Sequence, residues 1–172
     1  MAVAPLVWLV LALLLAERGV ELVVNRRNAR WLNAHGARWL GEDGFGLILA
    51  SQVALFALTI AEVLFAPWSG VGWWTWPFLA VALLAQGLRY WVIRTLGPRW
   101  SIRVATVPGA ARVVGGPYRF LAHPNYLAVA VEAFAIPLAL GAWGSALVVG
   151  AVCSVALARR IRLEEGALRA SA

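Results

Sequence analysis

With 172 residues, 62% of them apolar, only 13% charged, ten tryptophans and a mean hydropathy of +0.78, the chain lies outside the range of a water-soluble domain. It has room for one membrane domain, residues 1–172, of four or five helices at roughly 20 apolar residues per crossing. The formal charge of +7 comes from arginine alone, in short segments beside apolar runs; this argues against a nucleic-acid partner and makes the arginines topology signals.

The first apolar run spans about residues 2–24. No basic side chain precedes it and no small-residue cleavage site follows, so it is expected to stay as a helix. Glu17, Arg18 and Glu21 crowd its last turns, where they can pair or reach the headgroups. Residues 25–43 carry Arg26, Arg27, Arg30 and Arg38 with Trp31 and Trp39 between them, which predicts an interfacial segment. His35 lies in it with no visible partner and is expected at the surface. A second span covers about 44–65, with Glu62 near its end and expected to snorkel. After an uncharged turn over 66–72, a third span runs over about 73–96, and Gly97-Pro98 stops it.

From there to His123 the chain is polar, basic and rich in Gly and Pro. Two short apolar helices, about 126–140 and 143–158, then form a hairpin about Gly141-Ala142, short enough to tilt or to re-enter. The fold class expected is therefore an all-α integral membrane protein with about five transmembrane helices and a C-terminal helical hairpin. Segments 25–43, 97–123 and 159–172 hold nearly all the arginines and the turns at 66–72 and 141–142 hold none, which places the C-terminus in the cytosol.

Two polar clusters flank the hairpin. In the stretch from Gly116 to Tyr126, Pro124 suits the first position of a helix and Asn125 can cap its open amides; that is the plain structural reading of His123-Pro124-Asn125-Tyr126. At the other end, Arg160 and Glu164 are four apart and can pair along the helix, yet Glu164 and Glu165 put two acids into a basic loop, so something local wants acceptors. Glu132 lies inside the fourth span and needs a partner such as Arg89. Two distant histidines and one buried cysteine, Cys153, make neither a metal site nor a disulfide, and no Ser-His-Asp elbow is present. What remains is a site for a polar cofactor at the cytosolic rim, opening toward lipid.

Gly116-Pro117-Tyr118-Arg119, His123-Pro124-Asn125-Tyr126, the hairpin, and Arg160 followed by Glu164-Glu165 resemble, in order and spacing, the isoprenylcysteine carboxyl methyltransferase family over about residues 86–168. The resemblance implies S-adenosylmethionine as cofactor, with about 97–168 as the cofactor-binding part. Tyr118, His123, Pro124, Asn125, Tyr126 and Glu164 would line its pocket, and the stretch Ala110, Ala111, Arg112 and Val113 would add backbone contacts. Arg160 would be the catalytic residue, serving the methyl acceptor.

Glu21, Arg27-Asn28, Trp31 and Gly36-Ala37 look like a shorter bacterial subgroup, some of whose members O-methylate alkylpyrone-type products of type III polyketide synthases. That implies a lipophilic small-molecule substrate met in membrane lipid, in a bacterial inner membrane, with the active site cytosolic. Ala122 departs from the arginine the family usually has before His-Pro, and the Tyr-containing tail of the eukaryotic enzymes does not follow the double Glu. Isoprenylcysteine-type carboxylates and phospholipid amines are alternative acceptors. A sterol-reductase-like protein binding a nicotinamide dinucleotide and a non-catalytic membrane scaffold are more distant readings.

Overall fold

Lipid offers no water to satisfy backbone amides and carbonyls, so long apolar runs resolve as helix. The computed structural model describes residues 5–39, 45–66 and 68–170. It contains α1 (Pro5–Ala34), α2 (Phe45–Phe65), α3 (Thr75–Leu96), α4 (Pro124–Ala139) and α5 (Trp143–Ala170). Two-residue strands β1 (Arg38–Trp39) and β2 (Ala105–Thr106) pair antiparallel, Arg38 with Thr106 and Trp39 with Ala105. Residues 2–4 of the expected first span, 40–44 of the expected interfacial segment and second span, Pro67 in the turn, and 171–172 of the domain lie outside the described residues.

The protein is an all-α membrane protein ending in an α4–α5 hairpin. Gly46–Phe65 and Thr75–Arg99 are long and apolar enough to cross a bilayer; α4 is apolar but has only 16 residues. Two boundaries differ from expectation. α1 continues past Val24 to Ala34, because no Gly or Pro interrupts residues 25–34; the chain turns at Gly36, whose φ of +69° suits glycine. Likewise α5 continues past Ala158 to Ala170, through arginine, leucine and glutamate that favour helix. At 30 and 28 residues these helices are ~45 and ~42 Å long and outreach a ~30 Å hydrocarbon layer. Residues 25–34 are therefore the end of α1 and not a separate segment lying in the interface. Arg26, Arg27 and Arg30 are still exposed there.

α4 is the central helix and packs through small residues, which let helix backbones approach closely. Its Val129 and Ala133 meet Ile48 of α2 and Cys153, Ala156 and Leu157 of α5, while Ala135 and Ile136 meet Leu55, Ala82 and Val149. α1 joins through Val7 and Leu11, which cluster with Val63, Leu140 and Ala142. At the hairpin turn Gly141 has φ +72°, and a Cβ there would stand 2.6 Å from the carbonyl oxygen of Gly70, so the turn needs glycine on both counts. Glu62 does not snorkel. Its carboxylate accepts from the amides of Gly144 (3.0 Å) and Ser145 (2.7 Å) and from the Ser145 hydroxyl (2.7 Å), capping α5.

Beneath the arginine-rich end, a charge network ties α1, α3 and α4 together. Arg89 donates through Nε to Glu132 Oε1 (3.1 Å), through Nη2 to Glu132 Oε2, and through Nη1 to Glu21 (3.0 Å). Arg18 bonds Glu21 (2.5 Å) and Glu132 (2.7 Å). Arg89 is thus the expected partner of Glu132. Glu21 is buried in this network and does not reach the headgroups.

Candidate active site

The end of α3 sets the site's frame. Gly97 takes φ +55° and the chain leaves the helix as a turn (Gly97–Arg99), then runs without regular structure, β2 apart, to a second turn, Gly116–Arg119. Gly116 has φ +58°, and a Cβ on it would meet Thr95 Oγ1 of α3 at 2.3 Å; only glycine lets this turn press against α3 and present Tyr118. Pro124, fully buried, opens α4 at its first turn, as the sequence predicts. Asn125 does not cap that turn: His123 occupies the cap position, and no side chain closes it.

Between this loop and the ends of α1, α4 and α5 lies a cavity of about 1030 Å³. Ala110, Ala111, Arg112, Val113, Tyr118, His123, Asn125, Tyr126, Arg160 and Glu164 all line it. Pro124 does not; it is packed behind the wall, where its part is to start the helix that carries its neighbours.

At the centre stands the Tyr126 hydroxyl. It donates to Glu164 Oε2 at 2.5 Å and accepts from Arg160 Nε at 3.1 Å. Arg160 and Glu164, one helical turn apart, therefore meet through this hydroxyl. The Arg160 guanidinium lies 5.5 Å from the Tyr126 ring centroid and gives Nη2 to the carbonyl of Ile102. His123 stacks on Tyr126, with centroids 5.5 Å apart, and its Nε2 lies 3.3 Å from Glu165 Oε1. Burial, reinforced by the negative charge of Glu164, pushes the Tyr118 phenol up to about 12, so it stays protonated at neutral pH.

Two buried polar atoms at the wall have no partner among the described residues: Asn125 Oδ1, an acceptor, and Trp100 Nε1, a donor. An amino-acid and nucleoside group such as S-adenosylmethionine brings both donors and acceptors, so the lining fits it, and Asn125, Trp100, Tyr118 and Glu164 are the side chains that would hold it. Among the described residues no group of three His, Cys, Asp or Glu side chains is arranged to hold a metal ion.

Trp100, Arg99, Arg103, Leu32 and Thr106 also line the cavity without a signal in the sequence, and Arg38, expected at the interface, joins them. Arg99 Nη1 holds the Ala111 carbonyl at 2.9 Å, and Arg103 lies over the Trp39 ring at 5.5 Å. Composition flags 97–123 as basic, but which of its arginines turn inward depends on β1 returning to pair with β2. His35 is exposed, as expected, and stacks on Trp31.

The model of the isoprenylcysteine carboxyl methyltransferase (ICMT) family matches residues 78–170, just over half of the chain. The chain is 35% identical over 162 residues to the uncharacterized protein YpbQ of Bacillus subtilis (strain 168), a match covering 94% of this chain and 96% of that one. No solved structure matches.

Proposed function

The chain belongs to the isoprenylcysteine carboxyl methyltransferase family of membrane methyltransferases, and from that premise we propose that it is an S-adenosylmethionine-dependent O-methyltransferase of a lipophilic, acidic acceptor, an enolic type III polyketide product such as an alkylpyrone being the leading candidate. The observation that carries this reading is the joining of Arg160, Tyr126 and Glu164 at one hydroxyl inside the cavity.

S-adenosylmethionine supplies an electrophilic methyl group. The chain's own residues have to bind, align and keep water out. Arg160 spends Nε on Tyr126 and Nη2 on Ile102, which leaves Nη1 as the donor for an acceptor oxygen. Glu164 spends one carboxylate oxygen on Tyr126 and keeps the other for a cofactor amino or hydroxyl group. Tyr118 offers an aromatic face to a sulfonium, whereas the Tyr126 ring is already taken by His123 and the Arg160 guanidinium.

Charge favours an oxygen acceptor. Arg38, Arg99, Arg103, Arg112 and Arg160 line the cavity against one lining carboxylate, Glu164, so an enolate or carboxylate is drawn in and an ammonium headgroup is not. An acceptor already ionised needs no general base. The volume stands at the top of the ~300–1,000 Å³ range of ordinary small-molecule sites, room for a cofactor beside an acceptor headgroup. With the arginine-bearing ends cytosolic, the cofactor would enter from the cytosol and an alkyl tail would lie toward lipid.

The test is methyl transfer from labelled S-adenosylmethionine by the full-length protein in lipid nanodiscs. Three probe acceptors are compared: an alkyl hydroxypyrone, an S-farnesylated cysteine carboxylate and phosphatidylethanolamine. The expected product is an O-methyl ether of the pyrone. Methylation of the amine, or failure to bind S-adenosylhomocysteine, would overturn the reading, and exclusive methylation of the carboxylate would move it to the isoprenylcysteine-type acceptor.

A further inference from the structure

The N-terminal helix lies outside residues 78–170, the part matched to the family. Its last third nevertheless holds the wall of the cavity. Asn25 Oδ1 accepts the amide hydrogen of Ile102 at 2.8 Å. Asn28, buried, donates through Nδ2 to the carbonyls of Gly97 at 3.1 Å and Trp100 at 2.8 Å. Three residues apart, the two amides share a helix face: Asn28 grips both ends of the turn that follows α3, and Asn25 holds Ile102 just beyond it.

Ile102 is the link. Its amide is committed to Asn25 and its carbonyl to Arg160 Nη2. Within the loop, the Gly97–Arg99 turn closes at Trp100 and Ser101 Oγ bonds the Arg103 carbonyl across Ile102; the two asparagines tie this stretch to α1 and so set where the Ile102 carbonyl stands relative to Arg160. We infer that Asn25 and Asn28 are positioning residues for Arg160, acting through the 97–102 backbone to aim its guanidinium at the acceptor. The inference rests on the acceptor-binding role proposed above for Arg160.

The two positions ask for opposite chemistry. Position 25 must supply an acceptor, so Asn25→Asp keeps the bond and Asn25→Ala loses it. Position 28 must supply a donor to two carbonyls, so Asn28→Asp both loses it and sets an anion against two oxygens. A helix that merely packs would not sort amide from acid in this crossed manner.

The experiment uses the full-length protein in detergent, with two readouts. The first needs no substrate: modification of Arg160 by phenylglyoxal and deuterium uptake over 100–103, both followed by mass spectrometry. Asn25→Ala and Asn28→Asp are expected to speed both by about fivefold or more as the loop opens, whereas Asn25→Asp stays within about twofold of wild type.

The second readout is methyl transfer to the alkyl hydroxypyrone. Asn25→Ala is expected to lower kcat/KM about tenfold while S-adenosylhomocysteine affinity holds within about twofold, Asn28→Asp, which also releases Trp100, to lower both, and Asn25→Asp to recover most of the rate. Wild-type reactivity of Arg160 in Asn25→Ala and Asn28→Asp overturns the inference. Equal losses of thermal stability and Arg160 protection in all variants, acid or not, overturn it too. If the wild-type protein methylates no pyrone, the acceptor assignment falls, while the crossed pattern of Arg160 reactivity still decides the positioning.

Discussion

Replacing Tyr126 by Phe isolates one atom. The ring survives, with its stack on His123 and the Arg160 guanidinium over its face, while the oxygen that bonds Glu164 at 2.5 Å and Arg160 at 3.1 Å is lost. Each is a hydrogen bond to a charged group, worth ~1.5–3 kcal/mol net. The sum overstates the effect, because the freed Arg160 and Glu164 sit one turn apart on α5 and can pair directly, recovering a few tenths of a kcal/mol or somewhat more in this sheltered place. A net loss of ~1.5–3 kcal/mol in transition-state stabilisation corresponds to roughly 10- to 150-fold in kcat/KM. Calorimetric titration with S-adenosylhomocysteine and turnover of the pyrone measure the two branches separately. Both should weaken, since one oxygen orients Glu164 on the cofactor side and Arg160 on the acceptor side. Wild-type values for Tyr126→Phe in both assays would refute the hydroxyl as the hub of the site.

Arg160→Lys should restore little of the turnover lost in Arg160→Ala and leave cofactor affinity nearly intact, because an ammonium cannot hold Tyr126, Ile102 and an acceptor with one planar fork; kinetics and calorimetry on both variants check this. Glu132→Ala leaves buried Arg89 and half-buried Arg18 with only Glu21 and Glu17 as nearby acids and should cost ~3–5 kcal/mol, read as a large fall in the thermal midpoint in detergent. Tyr118 has a folded-state pKa of about 12 against an unfolded value near 10, so its contribution is full below pH ~10 and is lost as pH rises toward 12; Tyr118→Phe should flatten stability over that window in alkaline unfolding curves. Cysteine-labelling probes should reach position 69 from outside the cell and positions 30, 112 and 162 from the cytosol, and cytosolic labelling at 69 would break the proposed topology.

Much of the fold was legible because a membrane makes composition decisive: lipid forces backbone bonds inside each segment, so apolar runs and the glycines and prolines between them read directly as helices and turns. The Arg89–Glu132 pair was legible for the same reason, since two opposite charges at depth have few other partners. The two exposed-looking ends misled. Residues 25–43 read as interface because arginines alternate with Trp31 and Trp39 there, but Asn25 and Asn28 on the inner face of α1 bind the loop after α3. Glu62 read as a snorkelling side chain because its use as a cap for α5 depends on Gly144 and Ser145, more than eighty residues away.

For the site, the sequence by itself determined which groups stand together along one helix: His123 to Tyr126 at the start of α4, and Arg160 with Glu164 one turn apart on α5. Only the tertiary structure decided what they do to each other. The hairpin brings Tyr126 between Arg160 and Glu164, so an apparent helix-surface ion pair becomes a relay through a hydroxyl. The β1–β2 pairing and the asparagines of α1 turn an irregular basic loop into a cavity wall. The physical reason is range: helix periodicity acts over a few residues, while a loop with only scattered hydrogen bonds of its own takes the rest of its shape from the distant donors and acceptors that satisfy it.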